Sequence, residues 1–166
     1  MQEGVKNEIN KQKATLFEIA KNWLNIPFRV HGHSKKGCDC VGLVVSVLLD
    51  AKIIDDDFFN KFISIKYGKN LQKVDRDKMM EMILSVFDET NDFNDCDLLL
   101  ARGKNSPIHF MIVEKTADKN KKIIHTTREN GFSCCVNFDY NLMHFIDKMF
   151  VLKKSYENFR HRSGIK

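Results

Sequence analysis

The chain has 166 residues, 43% of them apolar, with two prolines and eight glycines, a composition that excludes a disordered or collagen-like chain and is enough for one core. A formal charge of +5 permits an anionic partner such as cell wall, membrane surface or nucleic acid, but demands none. No apolar run reaches the length of a membrane span. The five cysteines, odd in number and with Cys134 beside Cys135, suggest reduced thiols rather than a disulfide framework.

Residues 1–13 are polar and lack the apolar core of a secretory signal, so they read as a flexible lead on a protein that is cytoplasmic when synthesised. Over 14–24 the apolar positions Leu16, Phe17, Ala20, Trp23 and Leu24 recur at helical spacing, which predicts a helix with one buried stripe. Pro27 ends it, because the residue before a proline is pushed out of the helical region. Residues 28–37, with Arg29, His31, Gly32, His33, Ser34 and Lys35-Lys36, read as a loop. Then Gly37-Cys38-Asp39-Cys40-Val41-Gly42-Leu43 opens an apolar run that continues to Ala51. Periodicity does not separate a buried strand from a buried helix there; the length favours a helix. Cys40 falls in its first turn, where unpaired N–H groups and the helix dipole favour a thiolate.

Asp55-Asp56-Asp57 predicts a turn and a helix start, and Phe58, Phe59, Phe62 and Ile63 need a core to bury them. Ile65 and Tyr67 read as a short extended piece before a Gly68 turn. Asp75 and Asp77 open another helix, with Met79, Met82, Ile83, Val86 and Phe87 on one face as core filler. Residues 88–95 are polar and turn-like. After Asp97 come short runs of β type at 98–101, 108–114, 122–126, 134–138 and 149–153. Turn signals separate them at 103–107, 118–121 and Asn130-Gly131, and 142–147 reads as a helical turn or two. Helices first and strands after predict an α+β domain over 14–154, its N-terminal helices packed on an antiparallel sheet. Residues 155–166 read as a loose basic tail.

A lone cysteine ordinarily packs as a small hydrophobe, so the case for chemistry at Cys40 rests on its context. A thiol nucleophile needs a base for its proton, and the base needs a third polar group to fix its tautomer. His109 sits inside the run Ile108-His109-Phe110-Met111-Ile112-Val113, and His125 follows Ile123-Ile124. One histidine on a strand is ordinarily structural; two on neighbouring strands, downstream of a cysteine at a helix start, suggest a shared site. If those strands pair through the 118–121 turn, their even separation permits both rings on one sheet face.

These residues resemble the NlpC family of cell-wall cysteine peptidases. The family pattern reads Ala-x-x-Trp/Leu-Leu-Gly-x-Pro-Tyr-Arg-x-Gly-Gly, then Gly-x-Asp-Cys-Ser-Gly-Leu. Here Trp23-Leu24, Pro27, Arg29, Gly32, Ser34, Gly37, Asp39, Cys40, Gly42 and Leu43 fall in register without a gap. Asp97-Leu98-Leu99 resembles the family's Gly-Asp-Leu-Leu strand, His109 its His-x-x-Ile strand, and Ile124-His125 its Ile-His-Ala strand. The resemblance implies a papain-like (NlpC-type) domain that cleaves amide bonds of peptidoglycan stem peptides, commonly beside D-amino acids. It implies Cys40 as nucleophile, His109 as general base and His125 as the group orienting it, with no metal or other cofactor. Arg29, His31 and Asp39 become substrate-binding candidates. Residues 55–95, with Tyr67-Gly68 ahead of an amphipathic helix, look like the insertion of one branch, the phage and gene-transfer-agent peptidases, which lie beside tail genes and carry no signal peptide. The implied partners are a peptidoglycan peptide and phage-like tail proteins, and the implied place of action is the cell wall, reached as part of a phage-like particle. The chain departs from the pattern at Phe28 for tyrosine, His31 for the first glycine, Val41 for serine and Cys96 for the glycine before Asp97.

Three other readings compete. Cys38, Cys40, His31 and His33 could ligate zinc, but Cys-x-Cys with His-x-His lacks the usual spacings. A non-catalytic tail-associated structural protein would keep the fold without the activity. Lys153, Lys154, Arg160, Arg162 and Lys166 form a basic cluster. It lacks aromatic interleaving and any binding motif, so a solvated tail and no nucleic-acid partner are expected.

Overall fold

The computed structural model describes residues 15–68, 71–102 and 108–157. Thr15 caps α1 (Leu16–Ala20), its hydroxyl accepting the Glu18 N–H at 3.2 Å. The chain then tightens into a 3-10 turn, Lys21–Trp23, so the predicted helix stops short of Leu24; Ala14 lies outside the described residues. Trp23 is buried and its indole N–H donates to Asp50 at 2.7 Å, tying this turn to the far end of the second helix.

Within the predicted loop 28–37 the backbone forms a small antiparallel hairpin, β1 (His33–Ser34) with β2 (Gly37–Cys38). Two-residue strands are too short to show alternation. The apolar run that follows is the helix α2 (Cys40–Asp50). Val41, Leu43, Val44, Val45, Val47 and Leu48 are all buried. Each buried side chain of this kind contributes about 1.5–3 kcal/mol, which outweighs the roughly 0.5 kcal/mol that a valine loses in a helix. Gly42 is required by closeness: a Cβ there would lie 1.8 Å from the Gly32 carbonyl oxygen. The first turn of α2 therefore rests directly on the backbone of the preceding loop.

Asp55 caps α3 (Asp56–Ile63), its carboxylate accepting the Phe58 N–H at 2.8 Å. Phe62 is buried, while Phe58, Phe59 and Ile63 pack more shallowly against the same cluster. Ile65 and Tyr67 lie in no strand. The helix α4 (Lys73–Val86) buries Met79, Ile83 and Val86 and runs straight into β3 (Phe87–Glu89). That strand corrects the turn expected from residue 88: Asp88 and Glu89 are exposed, but their backbones pair with a sheet edge. Residues 55–95 thus supply core and sheet alike, since Phe62, Met79, Ile83, Val86 and Phe87 share one cluster with Leu43 and Leu48.

The remaining strands are β4 (Leu98–Ala101), β5 (His109–Val113), β6 (Lys122–Thr126), β7 (Ser133–Asn137) and β8 (Ile146–Leu152). All pairings are antiparallel, in the order β3-β8-β4-β5-β6-β7. The last strand starts ahead of the expected residue 149, directly after a 3-10 helix, Tyr140–Phe145. The predicted turn at 103–107 lies outside the described residues. The expectation of a loose tail needs correction at its start. Lys154–Glu157 form a helical turn, α5, and Tyr156 packs on the core with its hydroxyl donating to the Ser85 carbonyl at 3.4 Å. Residues 158–166 lie outside the described residues.

Strand alternation divides the interior in two. Leu98, Leu100, Phe110, Ile112, Ile124 and Phe150 face the helices, whereas Leu99, Ala101, Met111, Val113 and Ile123 meet a second cluster closed by Cys96 and Phe138. Both faces are covered, which is why β4 and most of β5 read as unbroken apolar runs. Lys121 is fully buried in the second layer and its ammonium donates to the carbonyls of Phe93, Asn94 and Glu114. The architecture is α+β, with helices packed on an antiparallel sheet. No described helix is long and apolar enough to cross a membrane.

Candidate active site

The site is a fork between β5 and β6. These strands pair at Ile112↔Ile124 and Val113↔Ile123 and then part. Val113 N–H donates towards β4, to Asp97, whereas Glu114 N–H donates towards β6, to Lys122. By alternation the Ile108 carbonyl and the Phe110 N–H also point towards β6, into the opening. The Cys40 sulfur occupies that place. Its thiol makes a long 3.9 Å contact to the Ile108 carbonyl oxygen, and the Phe110 N–H lies near enough to favour the thiolate. Asp39 sets the position from below. It caps α2 by accepting the Gly42 N–H at 2.8 Å, which leaves Cys40 as the first helical residue.

His109 and His125 stand on the two arms of the fork. Extending the β5–β6 register sets His125 opposite Met111, so both histidines lie on one sheet face, as the hairpin reading required. Their rings meet edge to face, with Nε2 of His109 3.1 Å from Nδ1 of His125. Between two neutral rings such a contact is a hydrogen bond that takes one proton, from either ring. If His109 donates it, its remaining nitrogen, Nδ1, is left as a lone pair. One residue beyond His125, the buried Thr126 hydroxyl has no hydrogen-bond partner among the described residues.

Burial dominates the charges here. It pushes the Cys40 thiol up to about 12, against the lowering by the N–H groups of Phe110, Val41 and Cys40 itself. The thiolate expected from the helix start is therefore disfavoured in the resting site, because desolvation outweighs the dipole. Burial and then the neighbouring His125 push His109 down to about 4, with Glu129 opposing. An unfolded imidazole takes its proton near 6.5 and the folded His109 only near 4. Between those values the unfolded chain binds the extra proton. The contribution to stability is thus complete above 6.5 and lost as pH falls towards 4, a span of about 3 kcal/mol. Burial lowers His125 as well, with the same sign. Urea unfolding at pH 7 and pH 5 is expected to show a marked loss of stability at the lower pH, and His109→Gln should flatten it. An equally steep loss in the variant would show that His109 is not buried neutral.

The loop before Cys40 is held by Asp39. Besides the Gly42 N–H, its carboxylate accepts the His31 N–H at 2.7 Å and the Tyr67 hydroxyl at 2.9 and 3.1 Å. Asp39 is buried with its oxygens turned to internal donors, whereas Arg29 and His31 are exposed at the surface. His31 has φ 57, a left-handed conformation costing about 1 kcal/mol outside glycine. The hydrogen bond to Asp39 and the Tyr67 ring, 4.6 Å away, hold it there.

Tyr67 is the residue that sequence reading missed. It comes from the connection between α3 and α4, and burial and the Asp39 charge push its phenol well above the usual range, so it stays a neutral donor. No spacing rule links a tyrosine to a carboxylate 28 positions away; only its place beside Gly68, with φ 126, marked a special backbone. Tyr67→Phe keeps the ring and removes one charge-assisted hydrogen bond, so a stability loss of about 1–2 kcal/mol is expected in thermal melting. Unchanged melting would mean that Asp39 does not depend on it.

Among the described residues no group of three His, Cys, Asp or Glu side chains is gathered to hold a metal ion. The buried Cys38 thiol is pushed up to about 12 by burial and then by Asp39. The chain matches no known family model and no curated protein sequence.

Proposed function

We propose that the chain is a papain-like, NlpC-type cysteine peptidase that hydrolyses amide bonds of peptidoglycan stem peptides. The observation that carries this reading is the fork: a cysteine sulfur at a helix start, seated between two strands whose histidines are hydrogen-bonded to each other. In the proposed reaction His109 Nδ1 takes the Cys40 proton as the sulfur attacks the scissile carbonyl carbon. Transfer at that moment spares the buried site a lasting lone charge. The Cys40 backbone N–H, one of the unsatisfied donors of a helix start, faces the oxyanion. As the C–N bond breaks, His109 returns the proton to the leaving amine, and a thioester remains. His109 then takes a proton from water, the hydroxyl adds to the thioester, and the acid leaves as Cys40 regains its proton. His125 accepts from His109 Nε2–H throughout and fixes the tautomer.

On this reading Asp39 is a positioning residue for the helix start, and the exposed Arg29 and His31 meet substrate. A phage-like or gene-transfer-agent particle would deliver the enzyme to the wall, with tail proteins as partners. A second reading, a non-catalytic tail-associated protein of the same fold, draws on the burial around Cys40, which pushes its thiol up and disfavours the charged form. Digestion of purified peptidoglycan, with fragments identified by mass, separates the two. New amino termini in stem peptides support the peptidase; intact stems after long incubation support the scaffold.

A further inference from the structure

The two edges of the sheet are guarded differently. At one edge β3 carries Asp88 and Glu89, both exposed, with Lys148 of the neighbouring strand paired to Glu89 at 2.6 Å. At the other edge β7 has no charged residue, no proline and no break in its pairing with β6. Sheets use those devices to keep a free edge from pairing with another chain, and β7 lacks them all.

Only the start of that edge is covered. Asn25 N–H donates to the Ser133 carbonyl and Ser133 N–H to the Ile26 carbonyl, both at 2.9 Å, and Pro27 bridges to Phe132. Ser133 thus turns its backbone groups away from β6, and by alternation so do Cys135 and Asn137. At the far end Phe138 N–H donates back to the Lys121 carbonyl at 2.8 Å, which closes the ladder. Among the described residues nothing bonds the outward N–H or carbonyl of Cys135 or of Asn137. Cys135, Val136 and Asn137 are all exposed. Val136, 39% exposed, lies on the sheet face that Phe138 continues, and the exposed Tyr140 packs on Phe138.

We propose that β7 pairs with β7 of a second copy of this chain, antiparallel about a two-fold axis at Val136, so that two sheets become one. The free stretch is its own complement. With Val136 on the axis, Cys135 of each copy faces Asn137 of the other, and each such pair exchanges two N–H···O bonds. Those bonds use every outward group of the three residues. A register centred on Cys135 would set Asn137 against Ser133, whose groups are already taken, and would keep only half of the bonds. Charge does not oppose the approach, and the two Val136 side chains meet across the axis as an apolar pair. At β3 the same pairing would bring Asp88 against Asp88, so assembly closes at two copies.

Sedimentation of the full chain over a wide range of concentration is expected to show a monomer–dimer equilibrium and no larger species. Val136→Lys sets two like charges across the axis and should weaken the dimer at least tenfold. Asn137→Pro removes one outward N–H from each copy, spares the ladder with β6 and should have the same effect. If Asn137→Pro does not fold, Val136→Lys decides. The register is read with Val136→Cys in a Cys134→Ser, Cys135→Ser background. Residues opposed in a non-hydrogen-bonded pair have Cα atoms about 4.5 Å apart, within reach of a disulfide. Mild oxidation should therefore link two copies through the introduced sulfurs, and a reducing agent should part them. A monomer at every concentration, a dimer indifferent to Val136→Lys, assemblies that grow beyond two copies, or no linkage through position 136 each overturn the pairing. Peptidoglycan release plays no part in these readouts, so the dimer and the peptidase are tested separately.

Discussion

Cys40→Ala is expected to reduce the release of peptidoglycan fragments by at least about 10⁴-fold while the protein still melts cooperatively. The size of the loss follows from the chemistry: without sulfur there is no thioester, and what remains is whatever binding and the oxyanion donors supply. The fold should tolerate the change. Cys40 is half-buried and alanine is the best residue for a first helical turn, so about 1 kcal/mol or less is at stake. Cys38→Ala should give the opposite pattern. That thiol is fully buried in the core cluster, so its truncation leaves a small cavity and costs about 1–2 kcal/mol, with most activity kept. If Cys38 proved equally essential and a chelator abolished activity, a metal site would replace the nucleophile reading.

His109→Ala is expected to lower the hydrolysis rate by about 10² or more, the scale of general acid–base catalysis. The pH profile adds a sharper requirement. A base pushed down to about 4 stays neutral well below pH 6, so the acid limb of kcat/KM should fall near that value rather than near 6.5. With the thiol pushed up to about 12, alkylation of Cys40 in the free protein should rise steadily with pH and show no plateau near neutrality. A plateau there, lost in His109→Ala, would show a standing thiolate–imidazolium pair in place of transfer on attack. The third position should behave in a graded way. His125→Asn and His125→Gln offer an amide oxygen to His109 Nε2–H and should retain substantial activity, whereas His125→Ala leaves the ring without a partner and should be severe. Equal inactivity of all three variants would make His125 the base or a substrate ligand; a harmless alanine would make it a core histidine.

What was legible in the chain was local. Asp39 and Asp55 announce helix starts because a short acceptor side chain reaches the N–H three residues on, a distance set by the helix itself. The runs at Leu98–Ala101 and Lys122–Thr126 are bounded by turn chemistry and so coincide with the strands observed. The even spacing of His109 and His125 permitted a common face, and the register Ile112↔Ile124 decided it, since a slip of one residue would have turned one ring to the other side. Elements of two or three residues, β1, β2 and β3, were invisible, because so short a stretch has no period to read.

The tertiary structure decided everything that depends on distant segments meeting. Sequence put Cys40 at a helix start, where the dipole favours a thiolate; only the fold showed the sulfur buried in the β5–β6 fork, where desolvation works the other way and wins. Sequence offered Asp39, His31 and Arg29 as equals. The fold turned Asp39 inward onto Gly42, His31 and Tyr67, and left the two basic side chains at the surface. Tyr67 reaches the site from a loop whose approach is governed by core packing and chain closure, not by its own neighbours. Caps and periodicity are written within four residues of one another. Desolvation and loop-to-loop contacts arise only once the whole chain has closed around them.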